Sequence, residues 1–175
     1  HKPDRRQRQM CIRDRNFPGV NHDLIVNTSR GSVARSLSYM DEESDSISHE
    51  KNFVECLRFA FLAKKSKGAI LDLTKWSEKI ASISKDQQKD FLSYCSYLIR
   101  EAMLVSYSSK NLGSFSSNTD FKIDKLSPFI HSSNLIEIIS LIEDCHYSIS
   151  RNVNSKIVFT NFAITLTKLI NKEEI

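Results

Sequence analysis

Apolar residues in this chain recur at intervals of three and four over most of its length, which is the period of a helix face and not of a strand. The run is clearest at Phe91, Tyr94, Cys95, Leu98, Ile99 and Ala102. Just upstream, Ser84-Lys-Asp-Gln87 fits a capping box, in which the Ser84 hydroxyl takes an early backbone N–H and Gln87 reaches back. These features predict a helix that opens at Ser84 and runs to about Ser106.

The same spacing predicts the neighbouring helices. Phe53, Cys56, Leu57, Ala60 and Phe61 form one stripe, with Lys64, Lys65 and Lys67 before Gly68 suiting a helix C-terminus. Ile70, Leu73, Trp76 or Ser77, and Ile80 form the next. Ser108 to Asp120 reads as a polar loop, and Phe121 to Ile130 as a short helix stopped by Pro128. Leu135, Ile138, Ile139, Ile142, Cys145, His146 and Ile149 then share a helix for which Ser133 is a candidate cap. Arg-Asn-Val-Asn (Arg151 to Asn154) breaks that helix, and Asn154 or Ser155 caps a final one carrying Ile157, Val158, Phe162, Ala163, Leu166 and Ile170. The best strand candidate, Ile157-Val-Phe-Thr160, lies inside this helical pattern. The expected fold class is all-α, a bundle of five or six helices.

Upstream of the bundle, Asn21 to Glu43 reads as a short helical hairpin broken at Arg30-Gly31. Ser32 can cap its second helix, which leaves Arg35 one turn in, where the helix dipole favours an anion over a cation. Arg35 is therefore either solvated or facing an anion. The acidic stretch Asp41 to Glu50 reads as a linker or a solvated helix start. The expected organisation is a tail at 1–15, the end of a small domain at 16–45, and the main helical domain at 46–175.

The net charge of +4 is unevenly placed. His1 to Arg15 holds six Lys/Arg and two Asp, leaving 19 basic and 19 acidic residues in the rest of the chain. That tail has no apolar periodicity, and its "RRQRQMCIRDR" resembles a translated sequencing-adapter remnant; a basic arm for nucleic acid is the alternative. A neutral body argues against a free-standing nucleic-acid-binding domain, which needs a basic face.

Cys56, Cys95 and Cys145 each sit on an apolar stripe, and none of the four cysteines forms a C-x-x-C pair. Free thiols used as small hydrophobes suggest a reduced, cytoplasmic protein, and their separation disfavours a zinc site. No run approaches the length of a membrane span.

The sequence contains no phosphate-binding G-x-x-x-x-G-K-[ST], no G-x-G-x-x-G, no H-E-x-x-H and no G-x-S-x-G. Asp144, Cys145 and His146 are adjacent on a helix and so point in different directions. Asp86 and Asp90 share a helix face with Lys85 and Lys89 nearby, as a solvated surface does. Trp76 at helical spacing is a core residue before it is a base-stacking platform. Arg100 and Glu101 flank the core stripe, where packing or an interhelical ion pair suits them.

Three strings, in order, resemble one family. "GSVARSL" (Gly31 to Leu37) is similar to the Gly-Ser-x-x-Arg-x-Leu motif that ends the lid domain of delta-prime subunits of the bacterial DNA polymerase III clamp loader. "KWSEKIASISKDQQKDFLSYCSYLIREAML" (Lys75 to Leu104) resembles the middle of that family's C-terminal domain. "KLSPFI" (Lys125 to Ile130) and "ISRNVNSKIVFTNFAITLTKLI" (Ile149 to Ile170) resemble its terminal stretch.

The resemblance implies the end of an AAA+ lid followed by a helical collar domain, which joins related subunits into a pentamer. It implies no catalysis and no cofactor in this stretch, ATP being bound by partner subunits. The implied partners are the gamma or tau subunits and delta, with the sliding clamp and primed DNA reached only through the whole complex. Arg35 then matches the lid arginine called sensor 2 in active relatives, with a structural role here. Ile136, Leu141, Arg151, Phe162 and Leu166 are the candidate subunit-interface residues. Ile136 and Leu141 are chosen because they lie off the main stripe of a helix that is apolar nearly all round. The collar domain of a different clamp-loader subunit is the other reading within the family.

Overall fold

The computed structural model describes residues 43–64, 66–107 and 121–172. The tail, the early hairpin with Arg35, and the segment 108–120 lie outside the described residues. By internal packing the chain divides into two compact units, His1–Ser46 and Ile47–Ile175.

The described part is all-helical. Its α-helices are α1 (Glu43–Ala63), α2 (Gly68–Ala81), α3 (Lys85–Tyr107), α4 (Ser132–Ser150) and α5 (Ser155–Ile170). Two single 3-10 turns, Ile123–Lys125 and Ser127–Phe129, lead into α4. Pro128 is an internal residue of the second turn, so the expected single short helix is instead a pair of tight turns. Proline fits there because the early positions of a helical turn need no N–H.

Local chemistry explains where the helices start and stop. Gly68 was expected to follow the end of α1; it is in fact the first residue of α2. Ser66 makes this possible: its N–H still bonds to Leu62 O, and its Oγ accepts the Gly68 N–H at 3.3 Å. The capping box at α3 forms as expected, with Gln87 N–H on Ser84 Oγ (3.3 Å) and Ser84 N–H on Gln87 Oε1 (3.4 Å). For α4 the cap is His131 and not Ser133. The His131 N–H donates to Asn134 Oδ1 at 3.0 Å, the reach-back half of a capping box placed two residues earlier than expected. Asn154 caps α5, its Oδ1 accepting from Lys156 N and Ile157 N. Asn152, at φ 63°, turns the chain between α4 and α5 in the left-handed region that asparagine tolerates.

α4 lies between α3 and α5, while α5 packs on both α2 and α4 and the 3-10 turns lie against α3. α1 is tied to three elements: the Trp76 indole N–H donates to Asn52 O (2.8 Å), the Tyr94 hydroxyl to Glu50 Oε2 (3.0 Å), and the Asn171 amide to Ala60 O (3.2 Å). At the centre the rings of Trp76, Phe91, Phe159 and Phe162 meet at centroid separations of 6.0–6.5 Å. Cys56, Cys95 and Cys145 are buried free thiols in this core, as their stripe positions predicted.

Two stripes differ from expectation by one position. Ala69, not Ile70, heads the buried row of α2, since 69, 73, 76 and 80 follow the 4-3-4 rhythm and residue 70 is turned about 100° away. On α5, Ile157 is exposed and Val158 and Phe159 go inward.

Candidate interface surfaces

The helices position the five predicted interface residues very differently. Phe162 and Leu166 are fully enclosed in the core, and Leu141 is buried beside them. This corrects their assignment to a subunit boundary: a side chain packed on all sides within its own domain has no surface to offer a neighbour. The physical cause on α4 is that residue 141 shares a face with 138 and 145, both buried, whereas residue 136 does not. Ile136 is 74% exposed, and Arg151 lies on the surface at the C-cap of α4.

Around these two residues the outer faces of the last helices come into view. α4 presents Ile136, Ser140, Glu143, Asp144, Tyr147 and Arg151 to solvent. Tyr147 is 60% exposed, and the Arg151 guanidinium lies 5.2 Å from its ring centroid. Such a cation–π contact at an exposed site contributes about 0.5–1 kcal/mol. It also holds both side chains in one place. α5 shows a second regular row, Ile157, Asn161, Ile164 and Lys168, with Ile157 65% exposed. α2 adds Ile70 and Leu71 at its start. Neither of the last two helices is wholly internal, so each has an apolar surface that the domain itself leaves uncovered.

A polar cluster lines one seam of the core. Glu50 is buried on α1 and accepts from Tyr94, while His49 packs its ring near Phe91 and Tyr94. One turn along α3 follow Tyr97 and then the buried Glu101. Burial and the neighbouring carboxylate push the Tyr94 hydroxyl well above the usual tyrosine range, and Tyr97 is raised to about 12 for the same two reasons, with Glu101 as its neighbour. Burial also raises the Glu101 carboxyl, against a smaller opposing effect from Arg100. Glu101 Oε2 has no hydrogen-bond partner among the described residues, and of the two expected roles for Arg100 and Glu101, packing or an interhelical ion pair, no ion pair of either residue is found among them. These shifts hold the tyrosines neutral, which suits packing and not acid–base work.

The other sequence candidates take structural places. Asp86 pairs with Lys89 at 2.6 Å, which lowers its carboxyl, and lies on the surface as expected. Lys85 reaches Asn152 Oδ1 at 2.8 Å. Cys145 is buried with its thiol pushed up to about 12, Asp144 points to solvent, and His146 sits at the boundary. Among the described residues no group of three or more His, Cys, Asp or Glu is placed to hold a metal ion. No described helix is long and apolar enough to cross a membrane.

Two buried amides were not anticipated. Gln88 donates to Ala81 O (3.2 Å) and Ile83 O (2.8 Å), the open carbonyls after α2, and accepts from Ser155 Oγ (2.7 Å) on α5. Asn134 donates to Phe129 O (2.9 Å) and Leu169 O (3.1 Å), tying the second 3-10 turn to α4 and α5. The available signal for Asn134 was its place three residues after His131; for Gln88 it was a polar residue three before Phe91 on the core stripe.

Comparison with known proteins returns no family profile, no curated protein and no solved structure that matches this chain.

Proposed function

We propose that this chain is the C-terminal part of a clamp-loader delta-prime subunit, a non-catalytic helical collar domain that joins gamma or tau and delta subunits in a hetero-pentamer. The observation that carries the reading is the order and spacing of the resembling strings, Gly31 to Leu37, Lys75 to Leu104, and Lys125 to Ile130 with Ile149 to Ile170. Two features of the described domain support it. The second string runs from the second half of α2 through the capping box and most of α3, and the third covers the turn and helix of Asn154-capped α5. In addition, α2, α4 and α5 leave Ile70, Leu71, Ile136, Tyr147, Ile157 and Ile164 exposed, as an assembly domain requires. In this reading Arg35 belongs to the lid and meets groups on the preceding AAA+ module.

Size-exclusion chromatography with light scattering tests the proposal. The chain is run alone and mixed with the ATPase and delta subunits of a bacterium that encodes a close relative. A larger complex that contains the chain is the expected result. Failure to enter any such complex, also when the chain is extended by its native upstream domains, refutes the assignment.

A further inference from the structure

The outer face of α4 carries an order of charges that complements itself. Glu143, Tyr147 and Arg151 follow at four-residue intervals and so form one i±4 row, the kind of row along which helices most often interdigitate. All three are exposed, and exposed Asp144 stands next to Glu143. Arg151 is fixed on the row by its position over the Tyr147 ring, 5.2 Å from the centroid. Elsewhere on the surface acids and bases find each other, as in Lys156–Glu78 at 2.7 Å and Lys172–Glu137 at 2.6 Å. Among the described residues Glu143, Asp144 and Arg151 make no ion pair.

An acid–aromatic–base order has one simple complement, which is the same order reversed. When a second α4 is laid antiparallel and crosses at Tyr147, Arg151 of each copy faces Glu143 and Asp144 of the other. Each charge pair then lies about 6 Å along the axis from the crossing point, and the two tyrosine rings meet at the centre. A parallel arrangement sets like charges opposite each other and is repelled. We infer that this face joins two copies of the chain as an antiparallel α4–α4 pair about a two-fold axis through Tyr147. Such a contact is isologous and closes on itself without leading to a filament. The pairing requires no other subunit; because it covers Tyr147, which the clamp-loader reading leaves for assembly, it is the state of the chain by itself and competes with entry into the hetero-pentamer.

Sedimentation velocity on the full chain over a concentration series tests this, with circular dichroism to establish that each variant stays helical. The wild-type chain is expected to form a reversible dimer that weakens as salt is added. Arg151→Glu sets acid against acid, and E143R/D144R sets base against base; each is expected to raise the dimer Kd about tenfold or more. The triple variant E143R/D144R/R151E restores opposite charges across the dyad and is expected to restore the dimer. Residues 143 and 151 are two turns apart in one helix, so rescue reports a contact between copies. A chain that stays monomeric throughout overturns the proposal and leaves this face to a different protein. A dimer indifferent to R151E, or a triple variant that remains monomeric, overturns it as well.

Discussion

Trp76 concentrates several kinds of interaction in one side chain. It is buried, stacks with Phe162, meets Phe91 and Phe159, and donates its indole N–H to Asn52 O at 2.8 Å. Trp76→Ala leaves a cavity between α1, α2 and α5 and removes the second hydrogen bond to a carbonyl of α1, and is expected to cost about 3–5 kcal/mol in urea unfolding. Trp76→Phe keeps most of the volume and should cost distinctly less. Glu101 represents the opposite case, a buried carboxylate with an unsatisfied oxygen. Its pKa is raised on folding, so folding favours the protonated form. That contribution is fully present below the unfolded carboxylate pKa and is lost as pH rises through the higher folded value. At neutral pH the charge therefore opposes folding. Glu101→Gln should stabilise the fold at neutral pH by at most about 1 kcal/mol, the partly solvated carboxyl being screened, and so raise the thermal midpoint. The advantage should vanish below about pH 4. An equal gain at both pH values would show that the ionised form is not what costs stability.

The ends of elements are as informative as their faces. Asn154 satisfies the Lys156 and Ile157 N–H groups at 3.0 and 3.4 Å and so closes the N-terminus of α5. Asn154→Ala should cost about 1 kcal/mol, with faster amide exchange confined to the first turn of α5. The α4–α5 hairpin is held more firmly at its far end. There Asn134 spans three elements, and Lys172 bonds Ser133 O at 3.1 Å and Glu137 at 2.6 Å. Asn134→Leu removes the amide's own bonds to His131 N, Phe129 O and Leu169 O from a buried position and is expected to destabilise by about 2–3 kcal/mol, checked by the same unfolding experiment. Were the loss no larger than that of Asn154→Ala, the amide would be a local cap and not a tie between helices.

At the scale of the whole molecule, the described helices form one core with its own caps and ties. A chain of residues 43–172 should therefore fold alone, giving a helical circular-dichroism spectrum and a single cooperative melt. The charge division makes a companion prediction. Any nucleic-acid binding by the full chain should disappear when His1 to Arg15 is removed, because residues 16–175 hold 19 bases and 19 acids. Filter binding at low salt with and without the tail checks this. Retention of binding would locate a basic face in the folded body.

Local signals sufficed for much of this architecture. The 3-and-4 spacing announced the helices, Ser84 and Gln87 announced the start of α3, and Asn154 was one of two residues named for the start of α5. Each of these is a property of a few neighbouring residues, and so it can be read along the chain. The choice between Ile136 and Leu141, or between Ile70 and Ala69, is of another kind. All four are compatible with a helix, and an apolar side chain carries no mark of which direction its helix will turn to the core. Packing decided it: α4 turned 138, 141 and 145 inward between α3 and α5 and left 136 outside, and α2 turned 69 inward and left 70 outside. The same holds for Gln88, Asn134 and Glu101, whose surroundings are built by residues far away in the sequence. The local period thus determined that the chain is helical, while only the assembly of those helices determined which apolar and polar side chains are core and which remain available to a partner.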